Sequence, residues 1–160
     1  MVAEWRDDRS VVFRTCCSQW PVDGRRHVRP PILEPRPIHP PEVVVHDQAA
    51  LAGGDVDAIV STFAPDGSLS EPIGPGRVHR GTAELRTLFS TWFSAGGGVR
   101  RQTCAVTDDD VRCALEHNCD RWGRHDLPPQ AGIAVFERAP DGLLAGARVY
   151  DDVEAPVDPS

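Results

Sequence analysis

The sequence predicts an α+β fold in which a cone-shaped, curved antiparallel sheet wraps over three helices, with an extra β-hairpin or arm at the N-terminus. Three observations predict it. Apolar residues recur at helical spacing in segments between residues 41 and 93, four long β-prone runs follow from residue 99, and a proline-rich stretch separates both from residues 1–40. At 160 residues the chain has the length of about one domain. The expected organisation is a hairpin and proline-rich arm over 1–40, the folded domain over 41–156 and a short tail over 157–160.

The elements follow in order. "SVVFRTCCSQW" and "RRHVRPPIL" are β-prone and flank "PVDG", which predicts a hairpin that must cover another surface to be stable. "RPPILEPRPIHPP" holds six prolines, so neither a helix nor an interior strand can cross it. Pro41 and Glu42 then open a helix that Gly53 and Gly54 end. Asp55 caps a second helix, with Val56, Ile59, Val60 and Phe63 on one face, and Thr82 a third, with Leu85, Leu88, Phe89, Trp92 and Phe93 in its apolar stripe. "GGG" at 96–98 closes that helix. "VRRQTCAVT", "VRCALEHNCDRW", "AGIAVFER" and "LLAGARVYDD" are strands, joined at "DDD", "DLPPQ" and "APDG" into an antiparallel meander.

Composition narrows the function. Residues 1–40 hold seven arginines against five acids and residues 41–160 ten against 19, so the acidic main body disfavours nucleic acid. No apolar run is long enough to span a membrane, and Glu4, Asp7 and Asp8 interrupt any leader-like N-terminus, so a cytoplasmic protein is expected. Five cysteines without zinc-type spacing read as free buried thiols. No phosphate loop, metal-spaced histidine pair or nucleophile elbow occurs, and no cofactor or metal is expected.

The order helix, helix, short strand, helix and four antiparallel strands resembles the nuclear-transport-factor-2-like (SnoaL-like) superfamily, with its ketosteroid isomerase and polyketide cyclase branches. "ALAGGDVDAIVSTFAPDGSLSEPIG", "HRGTAELRTLF" and "LPPQAGIAVFERAPDGLLAGARVYDDVE" carry the resemblance. It implies a cystatin-like roll around a conical hydrophobic pocket. It also implies a cofactor-independent enzyme, a proton-transfer isomerase or a polyketide or isoprenoid cyclase, acting on a hydrophobic small molecule. A homodimer formed through the outer sheet face is implied too. The alternative within the same fold is a non-catalytic module that binds an apolar ligand or dimerises.

Site residues come from the same resemblance. Ketosteroid isomerases place their catalytic Asp in a segment like "SEPIG", which puts Glu71 at that position. A carboxylate facing an apolar cavity loses hydration, its pKa rises, and it becomes a general base; the other reading pairs Glu71 with Arg77 or Arg80 at a rim. The isomerases' Tyr and protonated Asp fall near Asp47 and Ala134, so the usual oxyanion donors are missing. Epoxide-hydrolase-like members carry Arg-x-Asp on the strand where this chain has "NCD", matching Asp120 but not the Arg, and their second carboxylate falls at Val149. Asp120 is thus a candidate acid or base and Asn118 a candidate donor, on a face shared with Glu116 and Trp122. Their structural readings are an ion pair of Asp120 with Arg121 or Arg148, and a backbone hydrogen bond from Asn118. His117 reads as structural. Asp47, Trp122, Ala134, Val149 and Asp151 are the candidate substrate contacts, Asp151 closing the pocket or ending its strand in solvent.

Overall fold

The computed structural model describes residues 2–6, 9–16, 19–71 and 77–153. Strands β1 (Val2–Arg6) and β2 (Arg9–Arg14) pair antiparallel. A short helix α1 (Trp20–Asp23) and an extended arm lead to helices α2 (Glu42–Gly53) and α3 (Val56–Ser61). Then come β3 (Phe63–Ser70), β4 (Val78–Arg80), helix α4 (Gly81–Trp92) and strands β5 (Val99–Asp108), β6 (Arg112–Trp122), β7 (His125–Arg138) and β8 (Leu144–Tyr150). The six strands β3–β8 form one curved sheet in the order β4-β3-β8-β7-β6-β5.

The expected α+β roll is present, and β5 to β8 form the expected meander. One pairing is not antiparallel: β3 lies parallel to β8, which brings the end of β3 beside Arg148. Phe63 opens β3 and does not end the second helix as expected, because α3 stops at Ser61. Thr82 does not cap the third helix. Arg80 occupies that position, and its backbone N–H donates to Glu84 at 2.8 Å. Asp55 does cap its helix, accepting from the Ala58 N–H at 2.9 Å.

The core lies between the sheet's inner face and the helices. Val44, Leu51, Ile59, Leu85 and Phe89 from the helices meet Leu69, Val99, Leu115, Phe136 and Leu144 from the strands. Phe89 sits at its centre, with its ring 5.6 Å from Trp92 and 6.3 Å from Phe63.

The N-terminal segment differs from expectation. The strands pair earlier, between Val2–Arg6 and Arg9–Arg14, and "PVDG" lies in and after α1 instead of turning between strands. Residues 29–36 run across the outer face of the sheet. The Ala131 N–H donates to the Arg29 carbonyl at 2.9 Å, the Asn118 amide to the Leu33 carbonyl at 2.9 Å, and the Arg36 N–H to the Thr103 carbonyl at 3.1 Å. The outer face, where the family resemblance implied a homodimer contact, is thus partly covered by the chain's own arm.

Cys16, Cys104, Cys113 and Cys119 are free and buried, and burial pushes the Cys113 and Cys119 thiols up to about 11. Cys17, Pro72–Gly76 and the tail lie outside the described residues. Among the described residues no helix is long and apolar enough to cross a membrane.

Candidate functional site

Glu71 follows β3 directly, on the same side of the strand as buried Leu69. Its Oε2 lies 3.0 Å from His79 Nε2, and its side chain is 16% exposed. The rim pairing with Arg77 or Arg80 is replaced by this contact from β4, the strand hydrogen-bonded alongside. Glu71 lines a partly enclosed cavity of about 140 Å³ whose other walls are Trp92, Val99, Arg101, Cys119, Trp122, Val149, Asp151, Val153 and Arg26. It also lines a wider groove of about 650 Å³ between α4 and β4, which meets the cavity at Glu71 and Trp92.

Two tryptophans form one wall. The Trp122 indole N–H donates to the Trp92 carbonyl at 2.9 Å, and the rings meet edge-on at 5.5 Å. The Trp122 indole therefore shows carbon surface to the cavity while its polar edge is occupied.

The polar end of the cavity is built from three elements. Arg101 enters from β5 with its side chain 7% exposed, and Nη2 stands 3.6 Å from Asp151 Oδ2. Asp151, just past β8, also lies 3.5 Å from His117 Nε2 on β6, beyond aligned hydrogen-bond reach. Burial would raise the Asp151 carboxyl, but His117 and Arg101 outweigh it and hold the group below the usual carboxylate range. Burial and the Arg101 charge together depress His117. Gly132 on β7 makes this cluster fit: a Cβ there would lie 2.7 Å from His117 Nε2 and 2.9 Å from Asp151 Cβ.

Asp47 lies deeper, on α2, beside Arg101, Leu51, Phe63 and Phe89 at the floor of the cone. Burial pushes its carboxyl up to about 6, against the pull of the Gln48 amide at 2.8 Å, Arg101 and the Thr62 hydroxyl at 3.4 Å. A carboxyl pKa above its unfolded value means the native state binds the extra proton, so stability falls as pH rises from the unfolded pKa through the folded one. Asp47→Asn is therefore expected to stabilise the protein by about 2–3 kcal/mol near pH 8, and by about 1 kcal/mol near pH 4.5. Urea melts of both proteins at the two pH values check this; an equal difference at both would contradict it. Acid protonation of Asp151 affects both proteins alike and cancels.

Several expected site residues lie elsewhere. Asn118 and Asp120 do not line the cavity but occupy the sheet's outer face. There Arg100 holds Asp120 through two hydrogen bonds of 2.7 and 2.9 Å and Gln102 adds a third at 2.6 Å, while Asn118 donates to the arm. Arg121 pairs instead with Asp126, and Arg148 with Glu137. Glu116 also faces outward, paired with Arg14. The inner face of β6 carries Leu115, His117 and Cys119. An irregularity between Cys119 and Arg121 then shifts the alternation so that Trp122 points inward as well. Val149, Trp122 and Asp151 do line the cavity, Asp47 lines a separate small cavity that shares Trp92, Arg101 and Val149 with it, and Ala134 is fully buried in the core without lining either. Arg101 was missed. Its one signal was that it shares strand parity with apolar Val99, a pattern that two adjacent arginines obscure.

Comparison with known proteins places this geometry in a family. No curated protein matches the chain. A candidate polyketide cyclase from Sinorhizobium meliloti is similar in fold, at 21% identity and a TM-score of 0.56, over 69% of this chain and 94% of that one. SalBIII, an epoxide hydrolase/cyclase-like enzyme of pyran ring formation in the polyether salinomycin, is 23% identical with a TM-score of 0.57, over 68% of this chain and 87% of its own. TerC, co-crystallised with polyporic acid, is 16% identical with a TM-score of 0.59, over 69% of this chain and 89% of its own. The family model of the SnoaL-like domain matches residues 45–147, more than half of the chain and all the cavity walls from Glu71 to Trp122, and the chain belongs to that family.

Proposed function

We infer that the protein is a cofactor-independent enzyme that moves a proton on a hydrophobic small molecule, as an isomerase or a polyketide-type or isoprenoid cyclase, with Glu71 as general base. One observation carries this: a carboxylate is held at the junction of a partly enclosed, largely apolar cavity and an open groove, with a histidine at 3.0 Å. A base must reach a carbon-bound proton in a water-poor site while exchanging that proton with its surroundings. His79 orients the carboxylate and gives its proton a route outward. The similarity to a candidate polyketide cyclase, an epoxide hydrolase/cyclase-like enzyme and a protein co-crystallised with polyporic acid supports this chemistry.

Asn118 and Asp120 have no part in this mechanism, being on the far face. The alternative of a silent ligand-binding or dimerising module gains no specific support from the cavity, whose polar end a purely apolar ligand would leave unused. The test is deuterium uptake. Small molecules that co-purify with the protein, and a panel of alkyl cyclohexenones, are incubated in D2O and the exchange followed by mass spectrometry. Glu71→Gln is expected to slow exchange about 10²–10⁴-fold. Unchanged exchange would remove Glu71 from the mechanism, and none with any compound would favour the binding module.

A further inference from the structure

We propose that residues 19–27 form the cover of the cavity, latched shut by Asp152, and that a ligand enters when this latch opens. The inference stands apart from the role of Glu71 and concerns access alone. β3 and β8 run parallel, and the residues that follow them, Glu71 on one side and Asp151 and Val153 on the other, are cavity walls, so the mouth lies beyond the ends of this strand pair. Arg26 is the one described wall residue that comes from the N-terminal segment. Its Nη1 donates to the Val153 carbonyl at 2.8 Å, which seats the loop across that mouth.

The loop closes on a single atom. The backbone N–H groups of Gln19 and His27, one at each end, donate to Asp152 Oδ2 at 3.4 and 3.3 Å, and Arg29 Nη2 reaches the same oxygen at 3.3 Å. A short segment whose ends meet in this way is a compact surface loop that can move as one piece. Asp151 and Asp152 are adjacent but serve different sides: the first lines the cavity and the second holds the loop. Asp152 is itself buried, so the latch lies inside the protein and is no surface ion pair.

The way the cover is held lets it open without the rest of the domain. The contacts at Oδ2 are long for hydrogen bonds. Oδ1 is buried with no hydrogen-bond partner among the described residues, so water that enters on release solvates it and offsets part of the cost. Val22 in the loop is 81% exposed and Val28 beside it 63%, so neither side chain adds apolar burial that opening must undo. The helix within the loop, α1, is a single turn of four residues. A segment of this kind opens at a smaller free energy than global unfolding. Opening is also needed. Cys119 lines the cavity yet is 0% exposed, so a molecule larger than water does not reach its sulfur while the cover is shut.

Cys119 is the reporter and Cys113 its control. Cys113 sits in the core away from the cavity, and burial pushes both thiols up to about 11, so a difference in their alkylation rates reports access and not intrinsic reactivity. The full chain is treated with iodoacetamide for increasing times, the remaining thiols are capped with the heavy-isotope reagent after denaturation, and the tryptic peptide Cys113–Arg121, which holds both cysteines, is fragmented to read each site. Cys119 is expected to react at least about tenfold faster than Cys113 in the native protein, because its exposure needs the loop to open and not the domain to unfold. Asp152→Ala should widen that ratio at least about tenfold further. Circular dichroism and cooperative melting confirm folding; if the alanine variant does not fold, Asp152→Asn, which keeps the shape and loses the charge, must widen the ratio in its place. Equal rates at the two cysteines in the native protein overturn the proposal, since access then requires global unfolding. A faster Cys119 whose ratio the Asp152 variant leaves unchanged also overturns it and puts the entrance at the groove beside Glu71. Labelling needs no turnover, so its outcome is independent of the deuterium exchange.

Discussion

Gly98→Ala is expected to destabilise the protein by about 3 kcal/mol or more, enough to unfold much of a domain whose whole stability is about 5–15 kcal/mol. A Cβ at Gly98 would lie 1.8 Å from the Leu51 carbonyl oxygen, 2.5 Å from Gly54 N and 2.8 Å from the Ala52 carbonyl carbon. All three are backbone atoms, so no side-chain rotation relieves the clash. The same junction holds Gly54, in the left-handed conformation at φ +70°, where a Cβ would meet Gly97 at 2.7 Å. The Gly98 carbonyl also accepts from the Gly123 N–H at 2.7 Å. These glycines let the end of α2 dock on the start of β5, and with it Asp47 on the element that carries Arg101. Gly53 supplies the control. It lies one residue before the junction with open space around it, so Gly53→Ala should raise stability by about 0.5–1 kcal/mol through helix propensity. Urea melts of the two variants should move in opposite directions. Equal effects would mean that the backbones are not in contact.

What the sequence revealed about that region was its punctuation. "GG" and "GGG" read as helix terminators, and both do follow helices, but a pattern of spacings cannot show that two such runs touch. The same limit explains most of what was legible. The apolar stripe from Leu85 to Phe89 and the four-strand meander are local patterns with strong periods, and the fold has both. The early hairpin went unread because "PVDG" is a better turn signal than the residues between Arg6 and Arg9, and α1 absorbed it. The parallel pairing of β3 with β8 is a long-range fact that no local pattern encodes.

The candidate site divides along the same line. Glu71 was legible as a carboxylate in a stretch where an apolar residue would pack better, flanked by prolines and glycines. The lining of β6 was not, because parity assigns faces only while a strand is regular. The irregularity after Cys119 leaves Trp122 and Cys119 together on the inside, so the parity that grouped Trp122 with Asn118 and Asp120 fails there. Arg101 was hidden by composition. In a chain whose 17 basic residues are all arginine, one more between arginine and glutamine reads as solvated surface.

Arg14→Met is expected to cost about 3–5 kcal/mol, although it touches nothing in the cavity. Arg14 ends β2 and meets Glu116 on the outer face of β6 through two hydrogen bonds of 2.6 and 2.7 Å, with side chains only 7% and 9% exposed. Removing the guanidinium leaves a carboxylate buried without its main cation, which is worse than having neither charge. The double variant Arg14→Met with Glu116→Leu should therefore recover most of the loss. Urea melts of the single and double variants measure this coupling. A single-variant loss below about 1 kcal/mol would mean that the pair is wet and that this end of the arm does not rest on the sheet. The contact matters beyond stability because Glu116 and His117 are adjacent and face opposite sides of β6. An arm seated by Arg14 on one side steadies the strand whose other side presents His117 to Asp151 and, through it, to Arg101.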